Sequence, residues 1–447
     1  MTIIKSNKIW LLKMNEQIIQ RNALDIPVKG EGFSRRSLKH KIYFSINGEG
    51  YGHSSRVLSI ARQLNPEEVI LGSYGYVLKR LESTKLPTVE ISPEVSFVGK
   101  DGNFDIGLTI LKNSSWPVAI NQIIREEKKI IQNYGITCVV SDSRTASVFA
   151  AHKLGIPCIL LTNQTTFAPF FDVEIRDLEQ SLIEKSFKEW LRTGTKAVLT
   201  NAAEPFVLKV VEDWLKAVDE IFLPDLPPPY SLSLPLLCNE NFVKKKQRFI
   251  GPLLPWSWKS LTQSHDKSFL PSKFHNFKKK IVCILGGHKY RKPLFDAMVM
   301  LAKKMPDFLF IILSDFKTNI ELPNLYLVGF VDNPANYYLN ADLVVTQAGH
   351  STAMELITLG IPMLVVPDSG QVEQESNAKR LCDLGIATKL SYKDLSTDIL
   401  ASQICYMLNE KTFYNQARNF SNIARSYLAE EEAVRIIRDY STRVQSY

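Results

Sequence analysis

The polar residues of segment 346–378 have the types and spacing that suit a sugar nucleotide. A predicted strand ends just before a loop that contains Gly349, Ser351 and Thr352. Such a loop presents backbone N–H groups and hydroxyls at the N-terminus of the following helix, which favours a diphosphate. Glu355 lies one turn further on, where a carboxylate is able to accept both hydroxyls of a ribose. The segment therefore predicts a nucleotide site.

The second half of this segment adds groups that suit a sugar. After Gly360 and a buried strand over 361–366, a further predicted helix carries Glu373, Gln374 and Asn377. Gln374 and Asn377 are three residues apart and therefore share one face of that helix. Taken singly, such residues are commonly N-caps, exposed helix charges or surface amides. Their combination at the mouth of one sheet favours a site for sugar hydroxyls.

A glycine-rich loop lies near the start of the first predicted α/β unit. It joins a strand predicted over Lys41–Ile46 to a helix predicted over His53–Leu64, and its glycines are Gly48, Gly50 and Gly52. Glycines at alternate positions let the backbone approach a ligand closely. The third glycine comes one residue too early for the dinucleotide fingerprint, and no acidic residue ends the second strand. These departures argue against a dehydrogenase.

Two residues of the same loop are candidate bases. His53 is predicted to start the helix and to face the cleft, where the positive end of the helix dipole favours a neutral imidazole. Glu49 is the second candidate. The ordinary alternatives are a capping or core histidine and a solvated loop carboxylate.

Two series of strands alternating with helices predict an α/β fold with two Rossmann-like domains, whose parallel sheets face a central cleft. We expect an N-terminal acceptor domain over 41–255, a linker over 256–278 and a donor domain over 279–425. Residues 1–40 form a basic extension, and a C-terminal helix within 426–447 is expected to pack back on the N-terminal domain. The clearest predicted strands are Lys41–Ile46, Cys138–Asp142, Ile156–Thr162, Ile281–Leu285, Leu309–Ser314, Leu325–Gly329, Leu343–Thr346 and Met363–Val366.

Composition restricts the class of protein. A chain of 447 residues is too long for one hydrophobic core, which supports two domains. The net charge of +8 is spread along the chain and does not indicate nucleic acid. The six cysteines form no CxxC pair, so we expect free thiols in a reducing compartment and no metal site. No apolar run is long enough for a signal peptide or a spanning helix, so a cytoplasmic protein is expected.

Segment 224–241 interrupts the alternation of strands and helices because it is rich in Pro, Leu and Ser. It is either a loop packed on the first domain or an apolar surface that contacts lipid. The apolar stretch 221–242, with the basic residues of 244–248, would form a docking site for the anionic inner face of the cell membrane, a hypothesis of peripheral membrane association.

The motif of segment 346–378 resembles the donor-binding region of GT-B glycosyltransferases, both the MurG-like enzymes of family 28 and the UDP-glycosyltransferases. The glycine-rich loop resembles that of archaeal and bacterial MurG-like enzymes, and the sequence Gly-Gly-His at 286–288 matches the loop after the first strand of their C-terminal domain. The residues that fit the donor motif are Gly349, Ser351, Thr352, Glu355, Gly360, Pro362, Pro367, Glu373, Gln374, Asn377 and Ala378.

The resemblance implies an inverting transfer that needs no metal and no cofactor, with His53 acting as the base or positioning it. It implies that the glycine loops hold the diphosphate, that Glu355 binds the ribose, and that Glu373 and Gln374 contact the donor. Plant-type relatives have a histidine where Gln347 stands, which is a departure. The candidate donor residues are Gly286, Gly287, His288, Gln347, Gly349, His350, Ser351, Thr352, Glu355, Glu373, Gln374 and Asn377. The candidates around the acceptor are Gly48, Gly50, Gly52, Arg56, Asp142 and Asn163.

The expected reaction moves a hexose or N-acetylhexosamine from a nucleotide-diphosphate sugar to a hydroxyl or phosphate of an acceptor. A UDP-sugar is the preferred candidate donor. The acceptor is unknown, and lipid-linked molecules are among the candidates. Two alternatives share the same features. One is a nucleotide-sugar 2-epimerase or hydrolase of the same fold, and the other is a non-catalytic subunit that binds a sugar nucleotide.

Overall fold

The structure is a computed structural model that describes residues 40–95, 99–100, 103–104, 109, 112–113, 115–169, 204–263, 269–286, 288–329 and 331–443. The predicted basic extension, apart from residue 40, and the candidate Gly287 lie outside the described residues.

The first sheet has seven strands, all parallel, in the order β3-β2-β1-β6-β7-β8-β9. In the strand register Asp142 is level with Ile46 on one side and with Leu161 on the other. The loops that follow these three central strands therefore leave the sheet at one edge. The strands of this half, with the small antiparallel pair β4–β5, are β1 (Ile42–Ile46), β2 (Val69–Ser73), β3 (Thr88–Glu90), β4 (Gly99–Lys100), β5 (Asn103–Phe104), β6 (Cys138–Asp142), β7 (Cys158–Leu161), β8 (Glu220–Leu223) and β9 (Gln247–Phe249).

The second sheet has six parallel strands in the order β12-β11-β10-β13-β14-β15. Thr346 pairs with Val365, so the loops after β13 and β14 also share one edge. The two sheets confirm the predicted α/β class. The strands are β10 (Lys279–Ile284), β11 (Phe308–Leu313), β12 (Leu325–Val328), β13 (Leu343–Thr346), β14 (Met363–Val365) and β15 (Ala387–Lys389).

Helices connect the strands and cover both sheets. Gly155 and Gly360 end two of them in the left-handed conformation, at φ 68° and 74°, as their sequence positions predicted. The helices with complete bounds are α1 (Tyr51–Ala61), α2 (Gly75–Glu82), α3 (Trp116–Tyr134), α4 (Thr145–Leu154), α5 (Asn241–Lys244), α6 (Trp258–Gln263), α7 (Lys292–Lys304), α8 (Ala335–Leu339), α9 (His350–Leu359), α10 (Val372–Asp383), α11 (Thr397–Asn409), α12 (Lys411–Ala424) and α13 (Ala429–Arg443). Residues 204–217 are also helical.

Two segments pack on the core of the other half of the chain. Ala433 and Ile437 of α13 are buried in one core with Phe44 of β1, although α13 ends the chain. Conversely, Leu226 and Leu232 of the loop after β8 are buried in the core of the second sheet. These exchanges bury apolar surface between the two halves and hold them together.

The lipid-contact interpretation of segment 224–241 is wrong for four of its five leucines, which are buried. Leu226, Leu232 and Leu236 are buried, and Leu234 is the large apolar side chain of this segment that is exposed, at 41%. In the basic stretch, the Nζ atom of Lys246 donates to three backbone carbonyls, 2.6–3.2 Å away. Among the residues that the structure describes, no helix has the length and apolar content needed to cross a membrane.

Candidate active site

A cleft of about 1000 Å³ lies between the two sheets and is lined by both halves of the chain. The N-termini of α1 and α9 meet there, and neither has a side-chain cap. A Cβ atom added at Gly52 would lie 2.8 Å from Oγ of Ser351, so only glycine fits at this contact without movement. Two uncapped helix N-termini make this part of the cleft favourable for anions.

His53, in the first turn of α1, is held by a carboxylate behind it. Its Nδ1 atom is 2.8 Å from Oδ1 of Asp142, the last residue of β6. Asp142 has no exposed surface, and the guanidinium of Arg56 binds both of its oxygens, with Nε donating to Oδ2 at 3.0 Å. His53 and Asp142 are 89 residues apart in sequence, and the pairing of β1 with β6 brings them together.

The charge of Asp142 follows from these contacts. Burial acts to raise its pKa, but the positive charge of Arg56 and the hydrogen bonds from Arg56 and His53 outweigh burial and hold the pKa below its usual value. Asp142 is therefore ionised at neutral pH. Nη2 of Arg56 also lies 3.0 Å from Nδ1 of His53. In the tautomer whose Nδ1–H donates to the ionised carboxylate, the Nε2 lone pair is free to act as a base.

Arg56 continues this network across the cleft. Its Nη1 atom donates to Oδ1 of Asn163 at 3.3 Å, and Nδ2 of Asn163 donates to Oε1 of Glu373 at 2.9 Å. Glu373 belongs to α10 of the second half. The predicted candidates Asp142, Arg56, Asn163 and Glu373 thus form one chain of hydrogen bonds, and it links the candidate base to the donor side.

Asn377 stabilises the conformation of the loop before α9. Ala348 has a φ of 60°, which is unusual for a residue with a side chain, and Nδ2 of Asn377 donates to its carbonyl at 3.0 Å. Asn377 has no exposed surface and does not line the cleft. The prediction that Asn377 contacts the donor directly is therefore corrected: its side chain lies in the protein interior, although Gln374 on the same face of α10 lines the cleft, and Asn377 shapes the loop that ends in Gly349.

Glu355 lines the cleft one turn into α9 and is almost completely buried. Burial raises its pKa to about 8, and the charge of Arg80 offsets only part of that effect. Glu355 is mostly protonated at neutral pH. A protonated carboxyl group is able both to donate a hydrogen bond and to accept one, which suits a pair of ribose hydroxyls.

Gln374 has a different partner from the one predicted. Its Oε1 atom accepts the backbone N–H of Asp368 at 2.8 Å, and its Nε2 atom donates to the carboxylate of Asp368 at 3.2 Å. Asp368 is buried and bound by the guanidinium of Arg291, 2.6 Å away. Although Gln374 lines the cleft, both the oxygen and the nitrogen of its amide bind Asp368, so Gln374 supports the donor side of the cleft. Gly286, at φ 61°, lies against Arg291, because a Cβ atom there would be 2.7 Å from Nη1.

His288 and Gln347 line the donor side of the cleft. Burial, with a smaller effect from the neighbouring Arg291, lowers the pKa of His288 to about 4, so its ring is neutral, and it stacks on Tyr290 with ring centroids 5.0 Å apart. The Nε2 atom of Gln347 is buried without a hydrogen-bond partner among the described residues. An amide donor in this state is available to a ligand.

The glycine-rich loop divides into two parts. Gly50, Gly52 and Glu49 line the cleft, and burial raises the pKa of Glu49. Gly48 does not line the cleft; a Cβ atom there would be 2.6 Å from the ring of Tyr74. Gly48 is therefore needed for packing beneath the loop.

One group that the sequence did not single out is the cluster around Arg144. Its Nη2 atom is 3.1 Å from Glu127 and 3.3 Å from Glu94, and all three side chains are largely buried. The carboxylate of Glu94 accepts the backbone N–H groups of Thr145 and Ala146 at 2.8 and 3.0 Å. The N-terminus of α4 is consequently occupied by a protein carboxylate, whereas those of α1 and α9 are open.

Arg80 and an apolar wall are also absent from the sequence predictions. Arg80 of α2 lines the cleft and reaches across it to Asp332, with Nε and Oδ1 3.1 Å apart. Its only sequence signal is a charge in a helix, which usually indicates a surface. The apolar wall is on the acceptor side and consists of Val95, Trp116, Phe167, Phe206, Val207, Val210, Val211 and Trp214.

Two family models match the chain. Residues 305–433 match the glycosyltransferase family 28 C-terminal domain, and residues 40–188 match glycosyl transferase family 1. An uncharacterized glycosyltransferase of Methanosarcina mazei is 30% identical over 410 residues, which cover 88% of this chain and 97% of that protein. One from Methanosarcina acetivorans is 29% identical over 402 residues, covering 86% and 92%.

More distant similarity extends to MurG-like proteins. A UDP-N-acetylglucosamine--N-acetylmuramyl-(pentapeptide) pyrophosphoryl-undecaprenol N-acetylglucosamine transferase of a Sulfurihydrogenibium species is 29% identical over 163 residues, 35% of this chain and 45% of that protein. Among solved structures, the glycotransferase of kitacinnamycin has a TM-score of 0.61 at 16% identity, covering 90% of this chain and 98% of its own. MurG of Acinetobacter baumannii has a TM-score of 0.54 at 15% identity, covering 90% and 100%. With its two parallel sheets, its cleft and these relatives, the chain is a glycosyltransferase of the GT-B fold and belongs to the MurG-like family 28 enzymes.

Proposed function

We propose that this enzyme transfers a hexose or N-acetylhexosamine from a UDP-sugar to an acceptor hydroxyl with inversion at the anomeric carbon. The observation that carries the proposal is the His53–Asp142 pair at the start of α1, opposite the open N-terminus of α9. The first supplies a base and the second supplies a place for a leaving diphosphate, and the two come from different halves of the chain and line one cleft.

In this mechanism Nε2 of His53 removes the proton of the acceptor hydroxyl as the oxygen attacks the anomeric carbon. The bond from that carbon to the diphosphate breaks on the opposite face, so the configuration inverts. Asp142 holds the imidazole and stabilises the imidazolium that forms, and Arg56 keeps Asp142 ionised. The Arg56–Asn163–Glu373 chain fixes the base relative to the donor domain.

The diphosphate is proposed to lie on the N-terminus of α9, at Gly349, Ser351 and Thr352. Glu355 would bind the ribose, since it lies one turn further along the same helix and lines the cleft. Support for the donor class comes from relatives: the name of the Sulfurihydrogenibium protein specifies a UDP-N-acetylglucosamine donor, and a spinosyn rhamnosyltransferase of similar fold is in complex with thymidine diphosphate.

The acceptor is proposed to be an amphipathic molecule. The apolar wall lines the same cleft as His53 and carries two tryptophans, and Trp116 contacts Phe206 edge to face with ring centroids 6.2 Å apart. Such a wall favours an apolar body next to the reacting hydroxyl, as in a lipid-linked or aromatic acceptor. A panel of alkyl glucosides, aryl glycosides and polyprenyl phosphates would identify the class.

A panel of nucleotide sugars read by thermal unfolding tests the donor. A bound donor raises the unfolding temperature because it binds only the folded state. We expect UDP-sugars to stabilise the protein and CMP- or GDP-sugars to have little effect. Stabilisation by a GDP-sugar and by no UDP-sugar would contradict the proposal that the donor carries uracil.

The release of UDP with and without acceptor separates a transferase from an epimerase or hydrolase. We expect slow release in the absence of acceptor and a large increase with the correct acceptor. Proton NMR of the glycoside product gives the anomeric configuration of the transferred sugar, and the same configuration as in the donor would refute inversion.

A further inference from the structure

His350 is the first residue of α9 and is only 4% exposed, yet it lines the cleft. Its position is the helix N-terminus on which the proposed donor places its diphosphate. Of the residues in this helix turn, 350–353, His350 is the one whose side chain is able to carry a positive charge. Its surroundings decide whether it does so.

The nearest charged group is Asp225, in the loop after β8. Asp225 has no exposed surface and accepts the backbone N–H groups of Leu226 and Ser233 at 2.7 and 2.8 Å and the hydroxyl of Ser231 at 2.9 Å. Burial acts to raise its pKa, but His350 and the hydrogen bonds of Ser233 outweigh it and hold the pKa below its usual value. Asp225 is therefore an ionised carboxylate in a prepared loop.

The carboxylate of Asp225 faces the imidazole of His350 from the other half of the chain. Its Oδ2 atom is 3.5 Å from Nε2, and Nε2 has no better partner among the described residues. A lone pair on Nε2 would repel the carboxylate, so the N–H form of this nitrogen is the stable one. The second nitrogen, Nδ1, remains for a ligand in the cleft.

We propose that His350, oriented by Asp225, binds the leaving diphosphate as an imidazolium, with Nε2–H toward Asp225 and Nδ1–H toward an oxygen of the second phosphate. In the complex, the negative charges on both sides of the ring favour this form against the positive end of the α9 dipole. The enzyme then uses two histidine–aspartate pairs: His53–Asp142 on the acceptor and His350–Asp225 on the leaving group. Negative charge accumulates on that phosphate as the glycosidic bond breaks, so the contact is stronger in the transition state than in the ground state. His350 is a catalytic residue in this scheme and Asp225 a positioning residue.

The proposal rests on the proposed nucleotide donor, and a comparison of UDP with UMP tests it separately. Calorimetric titration of both ligands into the wild type and His350→Gln measures the contact to the second phosphate, because UMP lacks that phosphate. We expect the substitution to weaken UDP binding at least tenfold and UMP binding less than twofold. Equal losses for the two ligands, or no loss for UDP, would overturn the role of His350.

Two further variants distinguish a contact from a structural effect. Asp225→Asn keeps the size of the side chain, and we expect a smaller loss in the same direction, for UDP and not for UMP. His152→Gln, at an exposed histidine in the last turn of α4, is the matched control and should bind both ligands like the wild type. If the wild type bound no nucleotide, the proposed function would fail together with this proposal; if it bound UDP and His350→Gln bound it equally well, this proposal alone would fail.

Discussion

Glu355 gives a prediction in which stability and donor binding change in opposite directions. The carboxyl group has an ordinary pKa of 4.5, and burial in the folded protein raises it to about 8. A raised pKa means that the folded state prefers the protonated acid, so ionisation opposes folding. Wild-type stability therefore decreases as the pH rises from 4.5 toward 8, and this effect is constant above that window.

The magnitude follows from the two pKa values. The penalty grows by about 1.4 kcal/mol per pH unit inside the window, which gives on the order of 3 kcal/mol at pH 7 and less than about 1 kcal/mol at pH 5. Glu355→Gln keeps the size of the side chain and removes the charge. We therefore expect the variant to be more stable than the wild type at pH 7, by up to that amount.

Urea unfolding of both proteins at pH 5, 7 and 9 measures the stability difference, and titration with UDP measures the binding. The difference in free energy of unfolding should increase from pH 5 to pH 9, with most of the increase below pH 8. UDP affinity should fall by about 1–3 kcal/mol in Glu355→Ala, which removes the carboxyl group, and should fall less in Glu355→Gln, whose amide also donates and accepts a hydrogen bond. A variant that is less stable than the wild type at pH 7, or a difference that is the same at pH 5 and 9, would refute the reasoning.

Three further substitutions test other parts of the site. Gly52→Ala places a Cβ atom 2.8 Å from Oγ of Ser351, and we expect kcat to fall about tenfold because the two halves of the site lose their alignment. Combining Gly52→Ala with Ser351→Gly should recover part of the activity. An alanine variant as active as the wild type would contradict the close contact. Asp142→Asn removes the charge that holds the candidate base, so kcat should fall by about 10²–10⁴ with UDP affinity unchanged, and full activity in acceptor assays would exclude this role. Arg291→Met removes the guanidinium that pairs with the buried carboxylate of Asp368, so the free energy of unfolding in urea should fall by about 3–5 kcal/mol. A loss below about 1 kcal/mol would show that the pair contributes little to stability.

The parts of the fold that were predictable are those fixed by local pattern. The predicted bounds of Cys138–Asp142 and Leu343–Thr346 match the structure, because strands buried on both faces of a parallel sheet are short apolar runs. The helix ends at Gly155 and Gly360 were also predictable, since glycine adopts the left-handed conformation without strain.

The contacts within the site depend on distant parts of the chain and were not predictable in detail. Asp142 was a candidate, but its bond to His53 follows from strand pairing across 89 positions. Asn377 was assigned to the ligand because it shares a polar helical face with Gln374, and the structure places its side chain in the interior, against Ala348. Arg80 has no local signal, because a charged residue in a helix usually lies on the surface.

The apolar loop after β8 shows the same limit. Its composition left open a loop packed on the first domain or a lipid surface, and the structure instead buries Leu226 and Leu232 in the core of the second sheet. Composition alone does not distinguish an apolar segment that contacts lipid from one that packs on a distant domain. Asp225 of this loop was not a candidate for the same reason, since its partner His350 is 125 positions away in sequence.

The most direct test of the proposed mechanism is His53→Ala, measured for both transfer and donor binding. The wild type and the variant are compared for UDP release with the donor and acceptor found by the panels, and for UDP affinity by calorimetry. We expect kcat to fall by about 10²–10⁴ because general-base catalysis is lost, while the UDP dissociation constant changes less than twofold. A variant that transfers sugar at the wild-type rate would contradict the assignment of His53 as the base.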